Sequence, residues 1–449
     1  MPHSSPAPAD PASAATMREM RDHVRDMFQH ALSECSIPRA FRRNLQFDSR
    51  HLRIGNELYD LRNFLRTLVI SIGKAGHTMA EALSGIVGTG LAGIVAAPTA
   101  PLAQLLGFRY FIGGHPLPNA DSLRAGDAIL QLLESPSPQT LVLYLISGGA
   151  SAIAEKPISA GISLADVVAT YQALVHSGAP IAEINAVRKH LSALKGGRLA
   201  GAAASAQQAS VLVSDVPENA LDALASGPTM PDSTTVSDCY DIVKRYRLLE
   251  HFPPSVRALF DREQLQETPK AGDPAFTHSH YATVLSNATA VNAAVEQAAL
   301  YGFAVEIDNG CDDWDYRKAA DHLLRRVREL RHGVSRACLV CGGEVTVKVG
   351  PQSGVGGRNQ QFALYCAQKI AGENITVLSA GTDGIDGNSP AAGAVVDGST
   401  VERARHCGLD VAAALEGFDA FPLFDGLGDA IMTGPTGNNV RDLRLLLAY

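Results

Sequence analysis

The chain has 449 residues, 46% hydrophobic and 19% charged, a composition that builds buried cores and excludes a disordered protein. Its 38 basic and 46 acidic residues give a net charge of −8 with no long basic run, which argues against nucleic acid as the main partner. No apolar stretch reaches the ~20 residues that span a bilayer, so a membrane is excluded on the same footing.

The first sixteen residues are rich in Pro, Ala and Ser and lack the features of a secretory signal, which predicts a disordered tail over 1–16. From Met17 the pattern changes. Met17, Met20, Val24, Met27, Phe28 and Ala31 share one stripe of a helix over 17–34, read as a docking helix. Strands are predicted at 67–73, 93–98, 140–147 and 209–216, and helices at 77–87, 120–135, 163–178 and 182–203. Continuous apolar strands alternating with amphipathic helices predict a parallel sheet covered on both faces.

Between about 230 and 280 the rhythm weakens, and Pro-rich polar sequence reads as irregular or linking structure. Beyond it strands are predicted at 282–287, 301–308, 336–350 and 374–381, with helices at 288–300, 315–330 and 357–372. Within 336–350, Val345, Val347 and Val349 alternate as in a half-exposed strand. Cys338 and Cys341 form a CxxC, but their apolar run and the lack of a second pair read as a buried strand. The seven scattered cysteines fit a reducing, cytoplasmic setting. The expected fold class is α/β, with a larger Rossmann-like parallel-sheet domain over 17–272 and a smaller α/β domain over 273–449.

Glycine is in excess, 41 of 449, and many of the glycines fall where strands end. Gly73-Lys74-Ala75-Gly76 follows one strand, and Ser147-Gly148-Gly149-Ala150-Ser151 follows another. In open α/β sheets ligands bind beyond the carboxyl ends of the strands, and bare loops there let backbone N–H groups approach an anion. Lys74 would add a point charge suited to phosphate. Asp215 ends a third strand, placed to accept a hydroxyl proton or hold a metal ion. Gly356, Gly357, Arg358 and Asn359 open a helix, an anion-site pattern. Asp383 and Asp386 stand among glycines, which suggests Mg²⁺ or ligand hydroxyls.

The charged run Asn185, Arg188, Lys189, Lys195 and Arg198 reads first as a solvated helix face, and His115 first as structural. Two nucleotide fingerprints fail. GxxxxGK[ST] is absent, and Gly88-Thr89-Gly90-Leu91-Ala92-Gly93 follows a helix and precedes a strand, the reverse of the dinucleotide order.

Taken together these motifs resemble the glycerate 2-kinase family, the class II glycerate kinases with a MOFRL-type C-terminal domain. The resemblance runs from about residue 20 to the C-terminus. It rests on SIGKA at 71–75, GGHPLPN at 113–119, SGGAS at 147–151, NAVRKHLSALKGGRLA at 185–200 and SDVPENALDALASGPT at 214–229. It continues through GGEVTV at 342–347, GGRNQQFAL at 356–364, GTDGIDG at 381–387 and TGPTGNNVRDL at 433–443. It implies two α/β domains with the active site in the cleft, and transfer of the ATP γ-phosphoryl group to the 2-hydroxyl of D-glycerate. ATP and Mg²⁺ are the implied cofactors, and Lys74 and Arg358 the residues tied to activity.

Phosphoryl transfer is mostly positioning and charge stabilisation, so it needs cations and N–H cradles. Lys74 and Arg358 would hold the transferring phosphate. The loop with Ser147, Gly148, Gly149 and Ser151 would cradle either nucleotide phosphates or the substrate carboxylate. Asp215 would take the proton or hold Mg²⁺, with Asp383 and Asp386 as alternatives. His115 and Arg188 are candidates for contact with glycerate. Two rival readings are an NAD(P)H-dependent hydroxypyruvate reductase and a non-catalytic regulator that binds a small anion. A homo-oligomer is left open.

Overall fold

The structure, a computed structural model, describes residues 11–88, 90–350 and 353–449. The chain divides into two compact units, one running Ile37–Ser286 and the other joining the segment up to Ser36 to Asn287–Tyr449.

The Ile37–Ser286 unit opens with a small antiparallel meander of β1 (Leu45–Phe47), β2 (His51–Ile54) and β3 (Glu57–Asp60). Its main sheet holds β4 (Arg66–Ile72), β5 (Ala92–Ala97), β6 (Phe108–Ile112), β7 (Thr140–Ser147), β8 (Gln207–Val213) and β9 (Ser279–Leu285). All pairings are parallel, in the spatial order β6-β5-β4-β7-β8-β9. Every residue of β7 is buried, as a strand covered by helices on both faces requires. This order runs outward in both directions from the β4–β7 pair, the doubly wound arrangement. Its topological switch point lies just beyond Ile72 and Ile146, which pair across those two strands.

The other unit carries β10 (Ala304–Ile307), β11 (Ala337–Gly342), β12 (Ile375–Gly381), β13 (Gly393–Asp397), β14 (Ala430–Ile431) and β15 (Asp442–Ala448). The order is β10-β11-β15-β12-β13-β14, with β10 and β11 parallel and the rest antiparallel. The C-terminal strand β15 therefore lies in the middle of the sheet.

Several expectations change. The helix Pro11–Glu34 begins inside the segment expected to be a tail, and residues 1–10 lie outside the described residues. Proline suits a first helical position, and the Ala-rich sequence after it favours the helix. Met20, Val24, Met27, Phe28 and Ala31 are fully buried, so this is a docking helix. Its docking surface is the unit of Asn287–Tyr449, chiefly helix Asn287–Leu300, and not the N-terminal domain drawn from the sequence. Arg21 pins it further by pairing with Asp397 at 3.1 Å and with Asp429.

The boundary expected at 272/273 moves to 286/287, because β9 completes the parallel sheet. The segment read as irregular contains helices Val236–Arg245 and Pro254–Asp261. Their Cys239, Ile242, Val243 and Phe260 share a buried cluster with Tyr171 and Val187. The helix expected over 182–203 breaks into Ile181–His190 and Arg198–Ala202, separated by the left-handed Gly196 and Gly197. Val345, Val347 and Val349 lie past the end of β11 in non-strand backbone. Cys338 and Cys341 are buried within β11, as read. Among the described residues no helix is long and apolar enough to cross a membrane.

Candidate active site

The turns that follow β4, β7 and β8 meet at the switch point. The Lys74 N–H donates to the Gly148 carbonyl at 2.9 Å, and the Ala75 N–H donates to Ser147 Oγ at 3.1 Å. The two glycine turns are thus stitched side by side. The Lys74 side chain is exposed and has no ion-pair partner among the described residues. None of the backbone N–H groups of Gly148, Gly149, Ala150 and Ser151 meets a protein acceptor among the described residues. Four donors in succession beside a lysine form a cradle for an anion.

The glycines here are steric requirements. A Cβ on Gly148 would collide with the Asp215 carboxylate. Gly149 adopts φ +82°, and a Cβ there would sit 3.0 Å from His115 Cδ2 and 3.1 Å from Lys74 Cγ. Asp215, His115 and Lys74 therefore all close on the same two residues. Burial, reinforced by the charge of Lys74, lowers the His115 pKa and favours its neutral form. Ser151 Oγ is 2.6 Å from Ser226 Oγ, which ties the 226–229 turn to the same loop. His115, Gly149, Ser151 and Arg188 line a cavity of about 470 Å³.

The charged helix is not a solvated face throughout. Lys189 and Lys195 are buried. Lys189 Nζ bonds Asp222 and Asp232, each at 3.0 Å, and Lys195 bonds Glu155. A buried ammonium needs such partners to offset its desolvation, so both lysines are structural.

In the other unit, Arg358 begins helix Arg358–Lys369 and lines a cavity of about 480 Å³ with Gly356, Gly357 and Asp383. Its Nε and Nη2 donate to the two oxygens of Asp442 at 2.7 and 3.0 Å, and Nη2 also pairs with Glu344 at 2.8 Å. Burial opposes the charge on Arg358. The bidentate bonds to Asp442 and the charge of Glu344 outweigh it and raise the pKa. Burial, together with the nearby Asp442, raises that of Glu344.

Part of the helix start that the sequence suggests as an anion site is engaged by the protein's own groups. Asp386 already occupies it, accepting from the N–H groups of Asn359 at 3.0 Å and Gln360 at 2.8 Å, and from both their side-chain amides. Burial pushes the Asp386 pKa up to about 6 against the bonds from Gln360 and Asn359. Asn359 is spent as well, since its Oδ1 accepts from Ser379 Oγ at 2.6 Å. The Gly356 N–H donates to Asn388 Oδ1 at 2.8 Å, and Gly357 lies so close to Asp386 that a Cβ would collide with it. These contacts engage the N–H groups of Gly356, Asn359 and Gln360 and the carboxylate of Asp386 within the protein, while the N–H groups of Gly357 and Arg358 meet no acceptor among the described residues. Asp383 is half-buried and accepts from the Ile385 N–H at 3.1 Å. Among the described residues no group of three or more His, Cys, Asp or Glu is placed to hold a metal ion.

Comparison with known proteins agrees with this architecture. Two family models match, the Domain of unknown function DUF4147 over residues 23–261 and the MOFRL family over 337–442. The D-glycerate 2-kinase of Thermotoga maritima is 35% identical over 392 residues, covering 85% of this chain and 90% of that protein. The chain belongs to the glycerate kinase family. A solved structure of a Thermotoga maritima glycerate kinase matches with a TM-score of 0.82 at 30% identity, covering 96% of this chain and 100% of that one. A member from Agrobacterium vitis, named putative hydroxypyruvate reductase, is 36% identical over 405 residues, 85% of this chain and 87% of that protein.

Glycerate kinases are phosphotransferases, and in this member the sequence reading missed the residues that hold the site in shape. Asp442 and Glu344 clamp Arg358, and Tyr171 and Glu155 surround Arg188. The first two stood inside the quoted motifs TGPTGNNVRDL and GGEVTV. Their signal was a lone acid in a polar motif, with nothing local to say which arginine it faces.

Proposed function

We propose that this chain transfers the γ-phosphoryl group of ATP to the 2-hydroxyl of D-glycerate, giving 2-phosphoglycerate and ADP. The observation that carries the reading is the convergence at the switch point. There a lysine without an acidic partner, four successive N–H donors and a carboxylate stand within reach of one small ligand. In this reading Lys74 and the 148–151 cradle hold the negative charge of the phosphoryl group, where fixed donors contribute most. Asp215 accepts the proton of the attacking hydroxyl. Arg358, whose Nη1 has no partner among the described residues, is the second cation that this reading ties to activity.

Both oxygens of Asp386 are taken by N–H donors, so it is poorly placed to hold a metal ion. Asp383 and Asp442 both border Gly381, and Asp442 is engaged by Arg358. In this reading magnesium accompanies the nucleotide. The seven cysteines form no disulfide and six of them are buried, which supports a cytoplasmic enzyme.

A second reading, reduction of hydroxypyruvate, is favoured by the names of two Agrobacterium vitis relatives. One assay separates the two. Purified protein receives D-glycerate, MgATP and a coupled readout of ADP, with ³¹P NMR of the product. A parallel arm supplies hydroxypyruvate with NADH or NADPH. ADP release that depends on D-glycerate, with 2-phosphoglycerate as product, is expected. Oxidation of the reduced cofactor without ADP release, or a 3-phosphoglycerate product, overturns the proposal.

A further inference from the structure

Helix Ile181–His190 carries a cation that the fold leaves without an anion. The Arg188 guanidinium lies over the Tyr171 ring, 4.4 Å from its centroid. Its Nε is buried with no partner, and no hydrogen bond or ion pair reaches the guanidinium among the described residues. Burial lowers the Arg188 pKa, with Tyr171 and Glu155 pulling the other way. A desolvated donor left unpaired costs free energy, so an arginine held like this is completed by something else.

The neighbourhood explains why no side chain completes it. Lys189 and Lys195 have their acids. Glu155, the carboxylate that acts on Arg188, is already full. Its oxygens accept from Lys195 Nζ, from the Tyr171 hydroxyl, from Ser192 Oγ at 2.5 Å and from the Lys156 N–H at 2.8 Å. A carboxylate offers about four lone-pair sites, and here four donors use them. The same bonds fix Tyr171 beneath the guanidinium.

The open side of Arg188 is the cavity of about 470 Å³ shared with Tyr171, His115, Gly149 and Ser151. That volume lies within the range of ligand pockets. None of its lining residues is acidic. Across it stands Gly149, whose absent Cβ would touch Lys74. A small acid with its carboxylate on Arg188 would therefore turn its hydroxyl end toward the phosphoryl cradle.

We infer that Arg188 is the receptor for the substrate carboxylate, and that Tyr171, held by the buried Glu155–Lys195 pair, is its positioning residue. The planar guanidinium matches a carboxylate in bidentate fashion, which a lysine does not reproduce. The identity of the acid rests on the kinase reading, and the carboxylate site itself does not.

The experiment pairs steady-state kinetics with calorimetric titration of D-glycerate in the absence of nucleotide, for wild type, Arg188→Met, Arg188→Lys and Tyr171→Phe. In Arg188→Met the KM for D-glycerate is expected to rise roughly 30-fold or more, the scale of a lost charge-assisted pair, while the KM for ATP stays within about twofold. Wild type discriminates against the neutral methyl ester of glycerate, and this preference collapses in Arg188→Met. Arg188→Lys and Tyr171→Phe raise the KM for D-glycerate by smaller factors and leave kcat nearly unchanged.

An unchanged KM and unchanged ester discrimination in Arg188→Met, with an active wild type, overturn this inference and leave the kinase reading standing. If Arg188→Met does not fold, a wild-type KM in Arg188→Lys overturns the inference. Calorimetric binding that Arg188→Met abolishes, without any ADP release by wild type, supports the carboxylate site and overturns the kinase reading. A wild type that neither binds nor turns over D-glycerate overturns both.

Discussion

Arg358→Ala tests whether Arg358 is structural as well as functional. The substitution strips Asp442 of two hydrogen bonds and Glu344 of its ion pair. Asp442 has 2% side-chain exposure, and its remaining cation, Arg444, is 3.5 Å away. Removing one member of a buried pair costs about 3–5 kcal/mol. Arg358 is itself 35% exposed and Arg444 stays, so solvent screening brings the expectation to about 2–3 kcal/mol.

Urea unfolding can read this cost from one side chain. Trp314 is the only tryptophan of the chain and packs against the core of the Arg358 unit. With an m-value of about 2–3 kcal/mol/M, the fluorescence midpoint is expected to fall by roughly 1 M. Arg358→Met combined with Asp442→Asn removes both charges and is expected to recover at least half of that loss, while activity stays abolished. A wild-type midpoint in Arg358→Ala would refute the reasoning, because Asp442 would then not depend on Arg358. Loss of activity in Arg358→Ala alone assigns no catalytic role. The paired variant does, since it separates folding from turnover.

Lys74→Ala is expected to lower kcat by at least ~10³-fold, in line with loss of a cation at a transferring phosphoryl group, with a thermal midpoint close to wild type because the side chain is exposed and unpaired. Gly148→Ala drives a methyl group into the Asp215 carboxylate, and kcat/KM is expected to drop roughly 10²-fold as Asp215 is displaced; wild-type kinetics would remove Asp215 from the mechanism. For Asp386 the folded-state pKa is raised to about 6 from 3.8, so the stability linked to its protonation is full below about pH 4 and is lost as pH rises through 6. The urea unfolding free energy of wild type relative to Asp386→Asn should therefore fall by up to roughly 3 kcal/mol between pH 4 and 6, then stay level; a flat difference across that window would refute the assignment.

Much of the switch-point site was legible in the sequence, because its signals are local. An apolar run such as Thr140–Ser147 followed by Gly-Gly announces a buried strand and a bare turn wherever it pairs. Lys74, Gly148, Gly149 and Asp215 each stand at such a strand end, and parallel packing brings those ends together. The Arg358 half was less legible. Asp386 and Asp442 are both acids in polar motifs, and no local rule tells a helix cap from an arginine clamp. The difference lies in β15, which enters the middle of its sheet between β11 and β12 and carries Asp442 to Arg358.

The sequence by itself determined the α/β class, the strand-end glycine turns and the family. These depend on residue pattern over short spans, where backbone sterics and burial periodicity act. Only the tertiary structure decided that the N-terminal helix docks on the rest of its unit, Asn287–Tyr449, that Lys189 and Lys195 are buried and paired, and that the Arg188 guanidinium beside them meets no anion among the described residues. Pairing of charges and docking of faces join residues far apart in the chain, and their energies exist only once the chain has brought them together.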